Sequence, residues 1–145
     1  MRKSTALAFA LCGTLLLVLL FVAGRFLYIN NHSQSLEKIA GKGVQESLLL
    51  VENDTELGAV DDPARVSDII ALLSGYTYTE YPKFFHPQEY ELSASRLTVH
   101  FGNGHSIGVN ADGYVFVNGK LRDIEGSRGK EFYHKLYLLF YPNAG

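Results

Sequence analysis

LTVHFGNGHSIGVNADGYVFVNGKLRDI, residues 97–124, is the stretch that decides the fold. Short apolar runs near Leu97–Phe101, His105–Val109 and Tyr114–Asn118 are separated by Gly, Asn and Asp, the pattern of strands joined by tight turns. Asn118-Gly119 is a two-residue hairpin signal, because both central positions of that turn need positive φ. It sets Phe116 opposite Leu121 and Val117 opposite Lys120, and it starts a further strand over Lys120–Ile124. Between the first two runs, a two-residue turn at Gly102-Asn103 would place His100 opposite His105 but Val99 against Ser106 and Thr98 against Ile107. A three-residue turn over Gly102–Gly104 instead pairs Val99 with Ile107, Leu97 with Val109 and His100 with Ser106. The second register keeps apolar against apolar and is the one expected, with Gly104 free to take the left-handed position.

Upstream, Glu89–Ser93 reads as another strand of this meander, and Leu48–Val51 as a strand covered on both faces because its apolar run is continuous. Asp62-Pro63 is a helix start, with the carboxylate accepting from an unpaired amide and proline at the first helical position. Val66, Ile69, Ile70 and Leu73 follow at helical spacing, and Gly75 is expected in the left-handed conformation that ends a helix. A last helix is predicted from Arg128 to about Phe140, capped by Ser127 and ended by Pro142. Its buried face is Phe132, Leu136 and Leu139, or alternatively Tyr133, Leu136 and Phe140. The class is therefore α+β, a mainly antiparallel sheet of about five to six strands packed by two helices.

The amino-terminal end belongs to a different solvent. Ala6–Ala23 is eighteen residues without a charge, flanked by Arg2, Lys3 and Arg25, and at about 1.5 Å per residue it covers roughly 27 Å. That length suits a transmembrane helix, and it exceeds the apolar part of a cleaved signal peptide. Residues 1–28 are accordingly read as leader and anchor, 29–43 as a polar stem with room for a short helix, and 44–145 as one domain. A folded unit of this size crosses a membrane largely regardless of its charge, so an inside amino terminus and an extracytoplasmic carboxyl-terminal domain are expected. Cys12, the only cysteine, lies within the apolar run, so the domain has no disulfide of its own.

From residue 30 onward ten Lys or Arg face fifteen Asp or Glu, which argues against nucleic acid as a partner. No complete catalytic pattern is present. Ser106 or Ser127 would need to meet His105 or His134 in space, and no spacing joins them. Asn110-Ala111-Asp112-Gly113 resembles the middle of a calcium loop, but Gly108 and Gly119 stand where its first and twelfth ligands belong, so a hairpin turn is expected. No cofactor or metal site is assigned. The strongest candidate for partner contact is the aromatic segment Tyr76–Tyr90, with Tyr78, Tyr81, Phe84, Phe85 and His86 its leading positions. Aromatic rings give large contact area, and Tyr adds a polar handle for a peptide, glycan or protein surface. Core packing is the competing use of the same side chains.

The anchor, the Leu48–Gly75 strand and capped helix, the Asp112-Gly113-Tyr114-Val115-Phe116-Val117 hairpin arm and the terminal helix together resemble small extracytoplasmic domains of the YhfM-like type. Those domains occur on membrane proteins and lipoproteins of Gram-positive bacteria. The resemblance spans most of residues 44–141 and implies a fold and a compartment, with no catalytic residues to carry over. The class expected is a non-catalytic binding, sensing or assembly module at a cell envelope. A small envelope-acting enzyme and a regulatory subunit acting through its span are the alternatives.

Overall fold

The computed structural model describes residues 2–82, 95–126 and 128–144. The chain divides into two compact units, Met1–Ser33 and Gln34–Gly145. The first is a single helix, α1 (Arg2–His32), with no buried residue. It is long and apolar enough to cross a membrane.

The second unit is α+β. After β1 (Ser33–Gln34), which straddles the boundary, it runs in the order α2 (Leu36–Ala40), β2 (Leu48–Glu52), β3 (Thr55–Val60), α3 (Pro63–Ser74), β4 (Tyr78–Glu80), β5 (Arg96–His100), β6 (Ser106–Asn110), β7 (Val115–Val117), β8 (Lys120–Asp123) and α4 (Gly129–Phe140). The sheet order is β1-β4-β8-β7-β6-β5-β2-β3, and from β4 to β3 each neighbouring pair is antiparallel.

The meander takes the expected register. Val99 pairs with Ile107, Leu97 with Val109 and His100 with Ser106. Phe116 faces Leu121 and Val117 faces Lys120, across Asn118 (φ 53°) and Gly119 (φ 77°). Asp62 caps α3 by accepting from Arg65 N at 3.0 Å, and Val66, Ile69 and Leu73 are its buried side chains.

Other expectations are corrected. Among the described residues the sheet has eight strands rather than five or six. β3 is a solvent-exposed edge strand joined to β2 by the Asn53-Asp54 turn, and Asn53 takes φ 53° there. β4 lies inside the aromatic segment. Leu48–Val51 is not covered on both faces, since Leu48 and Leu50 are buried while Leu49 and Val51 are half-buried. Gly75 has φ −73°, so α3 ends in a right-handed turn whose amide donates to Leu72 O. Part of the polar stem is folded into the second unit, because Ser35 caps α2 and Leu36, Ile39 and Ala40 join the core. α4 begins at Gly129, one residue later than expected, and buries Phe132, Leu136 and Phe140, a combination of the two faces weighed above. Ser127 and the strand expected at Glu89–Ser93 lie outside the described residues.

α4 packs on β5 and β6, α3 on α4, and α2 on α3. Apolar rows such as Leu50, Val99, Ile107 and Val117 meet these helices from the sheet. On the sheet itself the Arg96 guanidinium lies 3.9 Å from the centroid of the buried Phe116 ring.

Candidate functional site

Of the aromatic candidates, Tyr78 and Tyr81 are described; Phe84, Phe85 and His86 lie outside the described residues. Tyr78 is a core residue, fully buried, with its hydroxyl donating to Leu73 O at 2.9 Å. That corrects its assignment as a contact residue, because a side chain sealed under α3 offers no surface to a partner. Burial, with a smaller contribution from Tyr76, pushes its phenol far above the ordinary value of 10.0. Tyr78→Phe is expected to cost about 1 kcal/mol in denaturant titration. The cost stays near that figure because Leu73 O keeps a longer bond from Tyr76 N at 3.5 Å.

Tyr81 is different. It follows β4 directly, is half-buried, and forms part of the wall of a cavity of about 530 Å³. The other walls come from the β6–β7 turn and the start of β7 (Asp112 to Val115), from β8 and its end (Arg122 to Ile124), and from Arg128 with the first residues of α4 (Gly129 and Lys130). The turn is locally determined. Asn110 Oδ1 accepts from Tyr114 N at 2.9 Å, Asn110 N donates to Tyr114 O at 3.0 Å, and Gly113 N donates to Asn110 O at 2.9 Å. Asn110 is thereby buried and satisfied within the hairpin turn that the sequence implied.

The start of α4 is set against that turn by an unusually close backbone approach. A Cβ on Gly129 would lie 1.8 Å from Gly113 O, and one on Gly113, which has φ +89°, would lie 2.7 Å from Lys130 N. Two glycines on different elements thus bring the turn and the helix start together as adjoining walls of one cavity.

Charge in the cavity is mixed. Arg122 donates through Nη1 to Leu121 O at 2.9 Å and through Nη2 to Glu80 at 3.5 Å. Its Nε is buried without a hydrogen-bond partner among the described residues. Arg128 lies 4.8 Å from the Tyr76 ring centroid. Partial burial raises the Tyr81 phenol above its ordinary value, and the nearby Asp123 and then Tyr114 raise it further. The volume is that of a small-molecule or side-chain pocket, with carboxylates, cations and two phenols converging on it.

The histidines on the neighbouring hairpin do not form a comparable centre. His100 lies opposite Ser106, and His105 Nδ1 accepts from Asn118 Nδ2 at 2.9 Å. Among the described residues no group of three or more His, Cys, Asp or Glu side chains is placed to hold a metal ion. Sequence reasoning reached Tyr81 but not Arg122, Arg128 or Lys130, since no local pattern connects them. No protein-family model, curated protein or solved structure matches the chain.

Proposed function

We propose that the chain is a single-span, membrane-anchored protein that presents its α+β unit outside the cytoplasm as a non-catalytic binding, sensing or assembly module of a bacterial cell envelope. Residues 6–23 provide the lipid contact, and the amino terminus lies inside. The cavity beside Tyr81 supports the binding reading, since it joins an aromatic wall to both signs of charge and fits part of an envelope protein, a peptide or a glycan. The likeness to YhfM-like domains favours the same compartment and assigns no chemistry.

Tyr81→Ala is expected to weaken partner capture while leaving the thermal midpoint within a few degrees of wild type. A photo-crosslinking residue at 81 in intact cells, with one at the exposed Leu57 as reference, reads capture directly. External protease added to the same cells reads topology. A large fall in thermal midpoint for Tyr81→Ala would assign the ring to packing, and a protected carboxyl-terminal unit would reverse the orientation.

The meeting of Asp112 and Asp123 with Arg122, Arg128 and Lys130 in one cavity is the observation that favours an envelope-acting enzyme as the second reading. Turnover of envelope material that is abolished by Asp112→Asn together with Asp123→Asn would establish it over the first.

A further inference from the structure

We propose that the loop Gly41–Gln45 is a second membrane contact, resting on the bilayer surface through Val44. The proposal rests on the reading of α1 as a membrane span. Val44 is 95 % exposed, against 44 % for Leu57 and 40 % for Leu138, the other exposed large apolar side chains of the folded unit among the described residues. A folded unit ordinarily leaves so exposed an apolar side chain at a loop tip only singly, and one such residue in isolation means little. Three further observations give this one a direction.

The loop is braced. Gly41 N donates to Glu37 O at 3.0 Å, Gln45 Nε2 donates to Ala40 O across the loop base at 3.1 Å, and Asn103 Nδ2 ties Ile39 O to the β5–β6 turn at 2.9 Å. Val44 is therefore presented by a closed loop whose base is tied to the rest of the unit.

The apolar surface does not stop at the tip. Beside Val44 runs a groove of about 500 Å³, whose walls include Pro63, Val66 and Ile70 of α3.

Chain connectivity supplies the occupant. Val44 follows His32, the last residue of α1, by only twelve positions, five of which are coiled into α2. At about 1.5 Å per helical and 3.4 Å per extended residue, the connection reaches no more than roughly 30 Å. Phe26, Leu27 and Tyr28 near the end of α1 have the composition of a membrane-interface anchor. A contact too weak to recruit a free protein is populated when its two sides are held together by so short a tether. Lys42 and Glu46 flank Val44 with opposite charges, so the contact is apolar and persists at high salt.

The test uses the full chain in nanodiscs of phosphatidylethanolamine and phosphatidylglycerol, with nitroxide labels read by oxygen and nickel-chelate accessibility. A label on the native Cys12 checks the span. In a Cys12→Ser background, single labels at 43, 57 and 138 compare the loop with the two other exposed apolar sites. Position 43 tolerates the change, as nothing lies within 4 Å of a Cβ built there. The expected result is a deep label at 12 and a ratio of oxygen to chelate accessibility at 43 several-fold above that at 57 and 138. Val44→Asp should return 43 to the reference level, and high salt should not. Equal ratios at 43, 57 and 138 with a deep label at 12 would overturn the docking and leave the span intact. A water-exposed label at 12 would remove the span and the docking with it. Dipolar broadening between labels at 43 would show a second copy on the loop instead of lipid, and would also overturn the proposal.

Discussion

Gly129→Ala is expected to destabilise the folded unit by about 3 kcal/mol or more. That corresponds to a fall in thermal midpoint on the order of 10–20 °C for a unit of this size. Helix propensity alone gives the opposite sign, because alanine is favoured over glycine by up to about 1 kcal/mol inside a helix. Geometry decides between them. The added Cβ would sit 1.8 Å from Gly113 O, 2.6 Å from Gly113 C and 2.8 Å from Gly113 Cα. All three are backbone atoms of a turn already closed by the Asn110–Tyr114 bonds, so no side chain can swing away to make room.

Gly113→Ala should be at least as damaging, since it adds a left-handed φ to the collision with Lys130 N. Gly119→Ala separates the two effects. It also sits at positive φ, at +77°, but has nothing within 4 Å, so only the backbone strain of about 1 kcal/mol is expected. Differential scanning calorimetry of the three variants checks the order. A Gly129→Ala midpoint at or above wild type would mean that the turn and α4 are not in direct backbone contact. The cavity wall built on that contact would then be wrong as well.

The meander could be read because its determinants are local. Alternating apolar residues put Leu97, Val99, Ile107 and Val109 on one face, and Asn118-Gly119 fixed the hairpin. The Asp62-Pro63 helix start is local in the same sense. β3 escaped because Thr55–Val60 is an edge strand exposed along most of its length, with no burial to impose alternation. Its one local signal was the Asn53-Asp54 turn. β4 escaped for a different reason: a three-residue strand in an aromatic segment is defined by its pairing between β1 and β8, which are distant in sequence. Tyr78 and Tyr81 illustrate the limit for the site. They are three residues apart in one composition, yet one is sealed under α3 and the other lines a cavity. Tyr78 meets Leu73 O of α3, while Tyr81 shares its cavity with Asp123 and Tyr114, and none of these adjoins them in sequence. The cavity itself is assembled from four separated segments, so Lys130 and Tyr81 become neighbours only in the folded unit.

Arg65→Met is expected to destabilise by about 2–3 kcal/mol, because it removes charge-assisted bonds to otherwise orphaned helix carbonyls. The last carbonyls of any helix lack intrahelical donors, and a cation near them is favoured by the helix dipole. α4 has no basic residue in its last turn. The cation arrives from α3 instead. Arg65 Nε and Nη2 donate to Leu139 O at 3.3 and 3.1 Å, and Nη2 donates to Phe140 O at 2.9 Å. Arg65→Lys should recover about half of the loss, since an ammonium keeps the charge but not the planar fork that reaches two carbonyls.

The residue after α4 pins the same end to the sheet. The Tyr141 hydroxyl donates to Glu52, which holds its phenol above the ordinary 10.0, at about 12. Because the folded value is the higher one, the contact contributes fully below pH 10 and is lost as pH rises toward 12. Stability should therefore fall over that window in wild type, and less steeply in Tyr141→Phe. If Arg65 and Tyr141 hold one fraying end of α4, the Arg65→Met and Tyr141→Phe double variant will lose less than the sum of the two single losses, by about 0.5 kcal/mol or more. Strict additivity in urea titrations would show instead that the two contacts secure α4 independently.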